Sequence, residues 1–268
     1  MTDKSRKSGS NEKLSKIRAS FARQAREFQS YAETLSKQDF MDSSMEWIDP
    51  ASADSVLDVA CGTSVMGRAL AERSSIVTNL DITEAMLAEG KALAEAEGIE
   101  NMVWVLGNAE EMPFLDESFD ITVTRLSFHH FTQPEKVFQE MHRVLKKDGR
   151  LVIIDMVAPE EKTRAVRDQL EILRDESHVR NMSREELAAL FEGNEMELTA
   201  EETTDVLVSL SAWLGLTETL GEHAKLIREA LEAELQGGEK TGFRPRIQEG
   251  EIWLNQKWLF LMGRKKQA

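Results

Sequence analysis

The chain has a single cysteine, Cys61, among 268 residues, which excludes an intrachain disulfide and any metal centre built on clustered cysteines. Long apolar runs are missing: none approaches the ~18 residues of a membrane span, and no signal-peptide pattern opens the sequence. Basic residues are the minority among the charges, 33 against 48 acidic side chains, for a net charge of −15. A surface of that sign repels phosphate and argues against a nucleic-acid partner. What is present is 41% hydrophobic and 30% charged residues, the composition of a soluble globular protein. The expectation is one large domain, or one domain with a substantial insertion. It is expected in the cytoplasm, with no membrane span and no bound metal, as a monomer or homodimer.

The most informative stretch runs from Val56 to Leu70. Val56 to Val59 is a β-branched apolar run, as in a strand buried on both faces. Val65, Met66, Ala69 and Leu70 then fall at helical spacing, and between them lies a turn of small residues, Ala60 to Ser64. Strand, tight turn and helix form a nucleotide-binding geometry, in which backbone approaches the ligand and the helix N-terminus offers free N–H groups. The dinucleotide fingerprint G-x-G-x-x-G is absent, which weighs against a nicotinamide-dependent oxidoreductase. Ile76 to Asp81 reads as the next parallel strand. Asp81 lies near the interval at which nucleotide folds place a ribose-binding acid, although a helix-capping role also fits it. Met102 to Leu106, Ile121 to Thr124 and Arg150 to Asp155 are further strands, and Pro134–Leu145 is a helix. The fourth strand leads into Arg125 and then His129 and His130. Ligands of open α/β sheets sit beyond strand ends, so either ring is a candidate general base, or else a packing residue. The pair lacks the i, i+4 spacing of a metal site.

Leu57-Asp58-Val59-Ala60-Cys61-Gly62-Thr63 before a helix resembles motif I of the class I S-adenosylmethionine-dependent methyltransferases. Of the family's three glycines only Gly62 is kept, with Ala60 and Ser64 at the others, and Ser64 is expected to narrow the space beside the cofactor. Gly107-Asn108-Ala109-Glu110 resembles the family's adenine loop, with Asn108 in place of the usual aspartate, and "VLKKDGRLVIID" is a further match. The branch most similar is that of small-molecule methyltransferases, including the ubiquinone and menaquinone biosynthesis C-methyltransferases. The resemblance implies an α/β, Rossmann-like fold: a seven-stranded, mostly parallel sheet with the last strand antiparallel and helices on both faces. It implies methyl transfer from S-adenosylmethionine to a small-molecule acceptor, releasing S-adenosylhomocysteine. The implied cofactor residues are Asp58, Ala60, Gly62, Thr63, Asp81, Ile82, Met86, Asn108, Ala109, Glu110 and Arg125.

Outside this core, residues 1–12 read as a disordered leader. Residues 13–48 read as a helical segment, carrying Phe21, Ala25, Phe28 and Tyr31, which in the family lies over the site as a lid; an ordinary packed amphipathic helix is the alternative. Residues 49–268 form the expected methyltransferase domain, with a helical insertion at 159–194 after the fifth strand. Phe28, Tyr31, His178 and Arg180 are its candidate substrate contacts, and a solvated turn is the other reading of the last two. A noncatalytic sensor that binds S-adenosylmethionine remains a second functional class, motivated by the departures at Ser64 and Phe28.

Overall fold

The computed structural model describes residues 13–25, 38–158 and 160–266. Its centre is a sheet of strands β1 (Ser55–Val59), β2 (Ile76–Asp81), β3 (Met102–Leu106), β4 (Phe119–Arg125), β5 (Leu145–Met156), β6 (Met196–Ser209), β7 (Arg246–Gln248) and β8 (Glu251–Lys265), in the order β3-β2-β1-β4-β5-β8-β6. The pairs among β1 to β5 are parallel, and β8 runs antiparallel between β5 and β6. The short β7 pairs with β8 as an eighth strand. The expectation of seven strands missed it because all three of its residues are exposed and carry no apolar alternation.

Helix α1 covers residues 13–25. It is followed by α2 (Gln38–Ile48), α3 (Val65–Ala71), α4 (Glu84–Glu97), α5 (Pro134–Val144), α6 (Glu161–Arg174), α7 (Arg184–Glu192), α8 (Leu210–Gly215) and α9 (Gly221–Leu235). Alternate side chains of each central strand enter opposite layers, as the period of two requires. On β5, Val152 and Ile154 join the core beneath α2, α3 and α9, whereas Leu151 and Ile153 join the core beneath α5 and α7. Both layers are sealed, so the carboxyl ends of β1, β2 and β4 are where polar groups meet open space. No helix among the described residues is long and apolar enough to cross a membrane.

Local chemistry sets the helix ends. Ser183 and Glu186 form a reciprocal capping box at the start of α7, which satisfies two otherwise orphaned N–H groups. Pro134 opens α5, where its missing N–H costs nothing. Between β5 and β6 the chain forms α6 and α7, with a non-helical break between Arg174 and Arg184.

Candidate active site

At the end of β1 the chain takes three left-handed conformations on alternate residues: Ala60 (φ 53°), Gly62 (φ 55°) and Ser64 (φ 59°). Only glycine adopts this region without steric cost, so Ala60 and Ser64 are held there by what they touch. Ser64 turns its hydroxyl inward, within 3.2 Å of Asp58 and against the side-chain oxygen of Asn79, and it is fully buried. It does not line the cavity, so the expected narrowing beside the cofactor does not occur. Gly67 donates its N–H to the same Asp58 oxygen at 3.0 Å. A Cβ at Gly67 would fall on the Ser64 hydroxyl, so Gly67 makes room for the side chain at Ser64.

Three aspartates stand at or near strand ends. Asp58 is 1% exposed, and burial pushes its pKa up to about 7 against the donors from Ser64 and Gly67. Asp81 ends β2. One of its oxygens accepts the Gly62 N–H at 2.8 Å and the other the Thr83 N–H at 2.7 Å. Burial raises its pKa as well, against those same hydrogen bonds. Asp155, near the end of β5, accepts the backbone N–H groups of Phe128 (2.5 Å), His129 (3.3 Å) and Met156 (2.6 Å), and lies 2.5 Å from His129 Nδ1. It was not singled out in the sequence. Its only signal there is position: like Asp58 and Asp81, it is an acid closing an apolar strand run.

Asp58 and Asp81, but not Asp155, open into one cavity, walled also by Ala60, Gly62, Ile82, Met86, Asn108, Ala109, Glu110, Arg125, His129 and His130. All but one of the cofactor residues expected from the sequence therefore lie together. The exception is Thr63, which is fully buried, is not part of this wall, and gives its carbonyl to Arg68 at 2.6 Å. It falls between the left-handed residues Gly62 and Ser64, where the alternation turns it toward α4. Asn108 uses its side-chain oxygen on the Glu110 N–H at 3.0 Å, and Glu110 grips Thr132 (3.0 Å) and Gln133 (2.7 Å) at the start of α5. Arg125 lies with its guanidinium 5.4 Å from the Trp258 ring centre, and burial lowers its pKa to about 10.

The same cavity is lined by Phe21 of the expected lid helix, by Arg174 and Asp175 of the break after α6, and by Gln24, Met156, Leu216 and Gln256, which sequence reasoning passed over. They are scattered through the chain and only the fold assembles them. His178 and Arg180 do not line the cavity. His178 is buried with Nε2 2.9 Å from Asp168, and Arg180 pairs with Glu186 at 2.9 Å. The backbone of this segment instead supports the histidine turn, since Val179 and Arg180 donate N–H groups to the His129 carbonyl at 2.9 and 3.2 Å. Phe28 and Tyr31 lie outside the described residues. No cluster of three or more metal-ligating side chains occurs among the described residues.

The chemistry of the wall fits S-adenosylmethionine and opposes a dinucleotide. A pyrophosphate at the turn would meet two buried carboxylates, Asp58 and Asp81, whereas a sulfonium and an ammonium are complemented by them. Asp81 lines the cavity beside the turn, and a carboxylate has acceptor capacity for the paired hydroxyls of a ribose. Ile82, Met86 and Ala109 offer an apolar flank for a flat base.

Comparison with known proteins agrees. Residues 57–153 match the methyltransferase domain family. Over 176 residues the chain is 33% identical to the uncharacterized methyltransferase YcgJ of Bacillus subtilis, spanning 64% of this chain and 68% of that protein. It superimposes on the YcgJ crystal structure with a TM-score of 0.77 at 27% identity, covering 85% of this chain and 98% of the other. It is also 35% identical over 114 residues to the ubiquinone/menaquinone biosynthesis C-methyltransferase UbiE of Roseobacter denitrificans, but this spans only 46% of that protein. The likeness to YcgJ runs over two thirds of its length, and by it the chain belongs to the class I S-adenosylmethionine-dependent methyltransferases.

Proposed function

We propose that the chain transfers a methyl group to a small-molecule acceptor held between the histidine pair and the wall formed by α1, Arg174, Leu216 and Gln256. S-adenosylmethionine supplies an electrophilic methyl group. The protein has to hold donor and acceptor in line and exclude water. The observation that carries the reading is that His129 and His130 share one cavity with the cofactor turn, their rings 4.1 Å apart. Asp58, Ala60, Gly62, Asp81, Ile82, Met86, Asn108, Ala109, Glu110 and Arg125 are assigned to the cofactor. The acceptor is small because the cavity is roofed by α1 and the Arg174–Glu176 segment: Ser20 reaches Asp175 at 3.3 Å and Arg23 pairs with Glu176 at 3.0 Å. Phe21 sets its ring edge-on to His130 at 4.9 Å, so the part of the acceptor beside that ring meets an apolar neighbour.

An acceptor panel of phenols, enols, amines and thiols, read by S-adenosylhomocysteine release, tests the reading. Replacing His129 or His130 by Ala should lower turnover roughly 10²–10⁴-fold while cofactor affinity is kept. Near-parent turnover in both variants removes the acid/base role. Binding without turnover across the panel supports the sensor alternative, but one of its two motives is gone, since Ser64 faces away from the cofactor space.

A further inference from the structure

Beside the cavity, Ser177 stands between two titratable side chains. Its hydroxyl is 2.6 Å from Asp175 Oδ1 and 3.1 Å from His130 Nδ1, and all three residues are buried. Asp175 Oδ1 is also reached by the Ser177 backbone N–H at 2.9 Å and by Ser20 at 3.3 Å. A serine has one hydroxyl proton. Spent on the carboxylate, it leaves the oxygen as an acceptor, and the contact with His130 must then run from Nδ1–H to Ser177. The chain Asp175–Ser177–His130 thereby fixes the imidazole in its Nδ1–H tautomer. Nε2 keeps its lone pair, has no hydrogen-bond partner among the described residues, and belongs to a ring in the cavity wall.

We propose that His130 Nε2 takes the proton released by the methyl acceptor, and that Ser177 and Asp175 are positioning residues that set its tautomer. This deepens the proposed methyl transfer and rests on it. As the acceptor atom's lone pair forms the new bond to carbon, the electron pair of the broken carbon–sulfur bond stays with the thioether, and the acceptor's proton passes to Nε2. The positive charge of the site is conserved: it moves from sulfur to the imidazole, one hydroxyl away from Asp175.

The groups facing His130 agree with this assignment. From its own turn it meets His129, which is itself bound to Asp155 on β5. From the loop after α6 it meets Asp175 and His178, whose ring centre is 6.4 Å away, and Arg174 ends α6 in the same wall. From α1 it meets Phe21, which does not titrate. Burial, then the neighbouring His129, push the pKa of His130 well below the usual imidazole value, so it is neutral and able to accept. Burial acts the same way on His129, but Asp155 outweighs it and leaves that pKa raised. The two adjacent rings thus shift in opposite directions, and His130 is the one kept neutral.

The test is nitrogen-15 NMR of the histidine side chains in the full chain, with and without S-adenosylmethionine, for the parent, Asp175→Asn and Ser177→Ala. The parent should show His130 protonated at Nδ1 and bare at Nε2. In Asp175→Asn the carboxamide can donate to Ser177, the hydroxyl turns toward Nδ1, and the proton should move to Nε2. Ser177→Ala, which deletes the hydroxyl, should give a tautomer mixture. With an acceptor found in the release assay, both variants should lose roughly 10²-fold in kcat at unchanged cofactor affinity. A parent His130 protonated at Nε2, an Asp175→Asn tautomer like the parent's, or full kcat in a tautomer-shifted variant overturns the proposal. Failure of the parent to methylate any acceptor removes instead the functional reading beneath it, and the NMR result tells the two failures apart.

Discussion

Asp81 Oδ2 accepts the Gly62 N–H at 2.8 Å, so the acid that ends β2 is built into the turn that ends β1. One carboxylate therefore shapes the turn and, as proposed above, holds the ribose. Asp81→Ala should weaken S-adenosylmethionine binding at least tenfold by calorimetry, since each charge-assisted hydrogen bond lost is worth about 1.5–3 kcal/mol before water compensates. Asp81→Asn keeps an acceptor for Gly62 and should lose less. Equal affinity in all three proteins would reduce Asp81 to a support for the turn.

The inward turn of Ser64 separates two positions that look equivalent in the sequence. Gly62→Val places a branched side chain at a left-handed residue in the cavity wall and should abolish cofactor binding. Ser64→Gly should leave affinity within about threefold, because the side chain it removes touches only Asp58 and Asn79 and each lost bond is a local stability effect of about 1 kcal/mol. Comparable loss of binding in both would mean that Ser64 contacts the cofactor after all.

The raised pKa of Asp58 makes a stability prediction. Its folded value of about 7 lies above the ordinary aspartate value of 3.8. Between the two, the folded state keeps a proton that the unfolded state releases, so this group's contribution falls as pH rises and levels off above about 7. Asp58→Asn should therefore gain stability relative to the parent as pH rises from about 4 to about 7, on the order of 2–4 kcal/mol at the upper end. Denaturant melts of both proteins across that range measure it. A difference that does not change with pH would place the Asp58 pKa near its ordinary value.

Arg143 on α5 grips the loop that follows Asn108, donating to the carbonyls of Phe114 (2.8 Å) and Met112 (3.2 Å) while paired with Glu140 and Asp116. Arg143→Ala should loosen the adenine side of the cavity without touching it. The expected result is a cofactor affinity lowered by about three- to tenfold, reflecting roughly 1 kcal/mol of lost ordering. Unchanged affinity would show that the loop holds its shape by Glu110 alone.

That the residues assigned to the cofactor share one cavity was legible because their signals are local. The apolar runs of β1 to β5 announce strands buried on both faces, and Asp58, Asp81 and Asn108 sit where such strands stop. The histidine pair was legible for the same reason. Thr63 misled because nothing in a sequence shows which way the alternate residues of a left-handed turn point. Asp155 and Ser177 were passed over because their meaning is tertiary: one reaches the 3₁₀ turn Phe128–His130 across the sheet, and the other is defined by an aspartate and a histidine from different elements. Phe21, Leu216 and Gln256 come from segments with no shared pattern. The three-residue β7 left no trace because it buries nothing.

The two walls of the cavity also have different addresses in the chain. Asp58, Asp81, Asn108 and the histidines fall within residues 57–153, the stretch shared with the domain family, whereas Phe21, Met156, Arg174, Leu216 and Gln256 all fall outside it. The residues assigned to the cofactor thus lie in one contiguous block, and the rest of the lining named here lies in the flanks. Under the proposed function, a chimera carrying this chain's flanks on the YcgJ block should take this chain's acceptor, a swap that S-adenosylhomocysteine release measures.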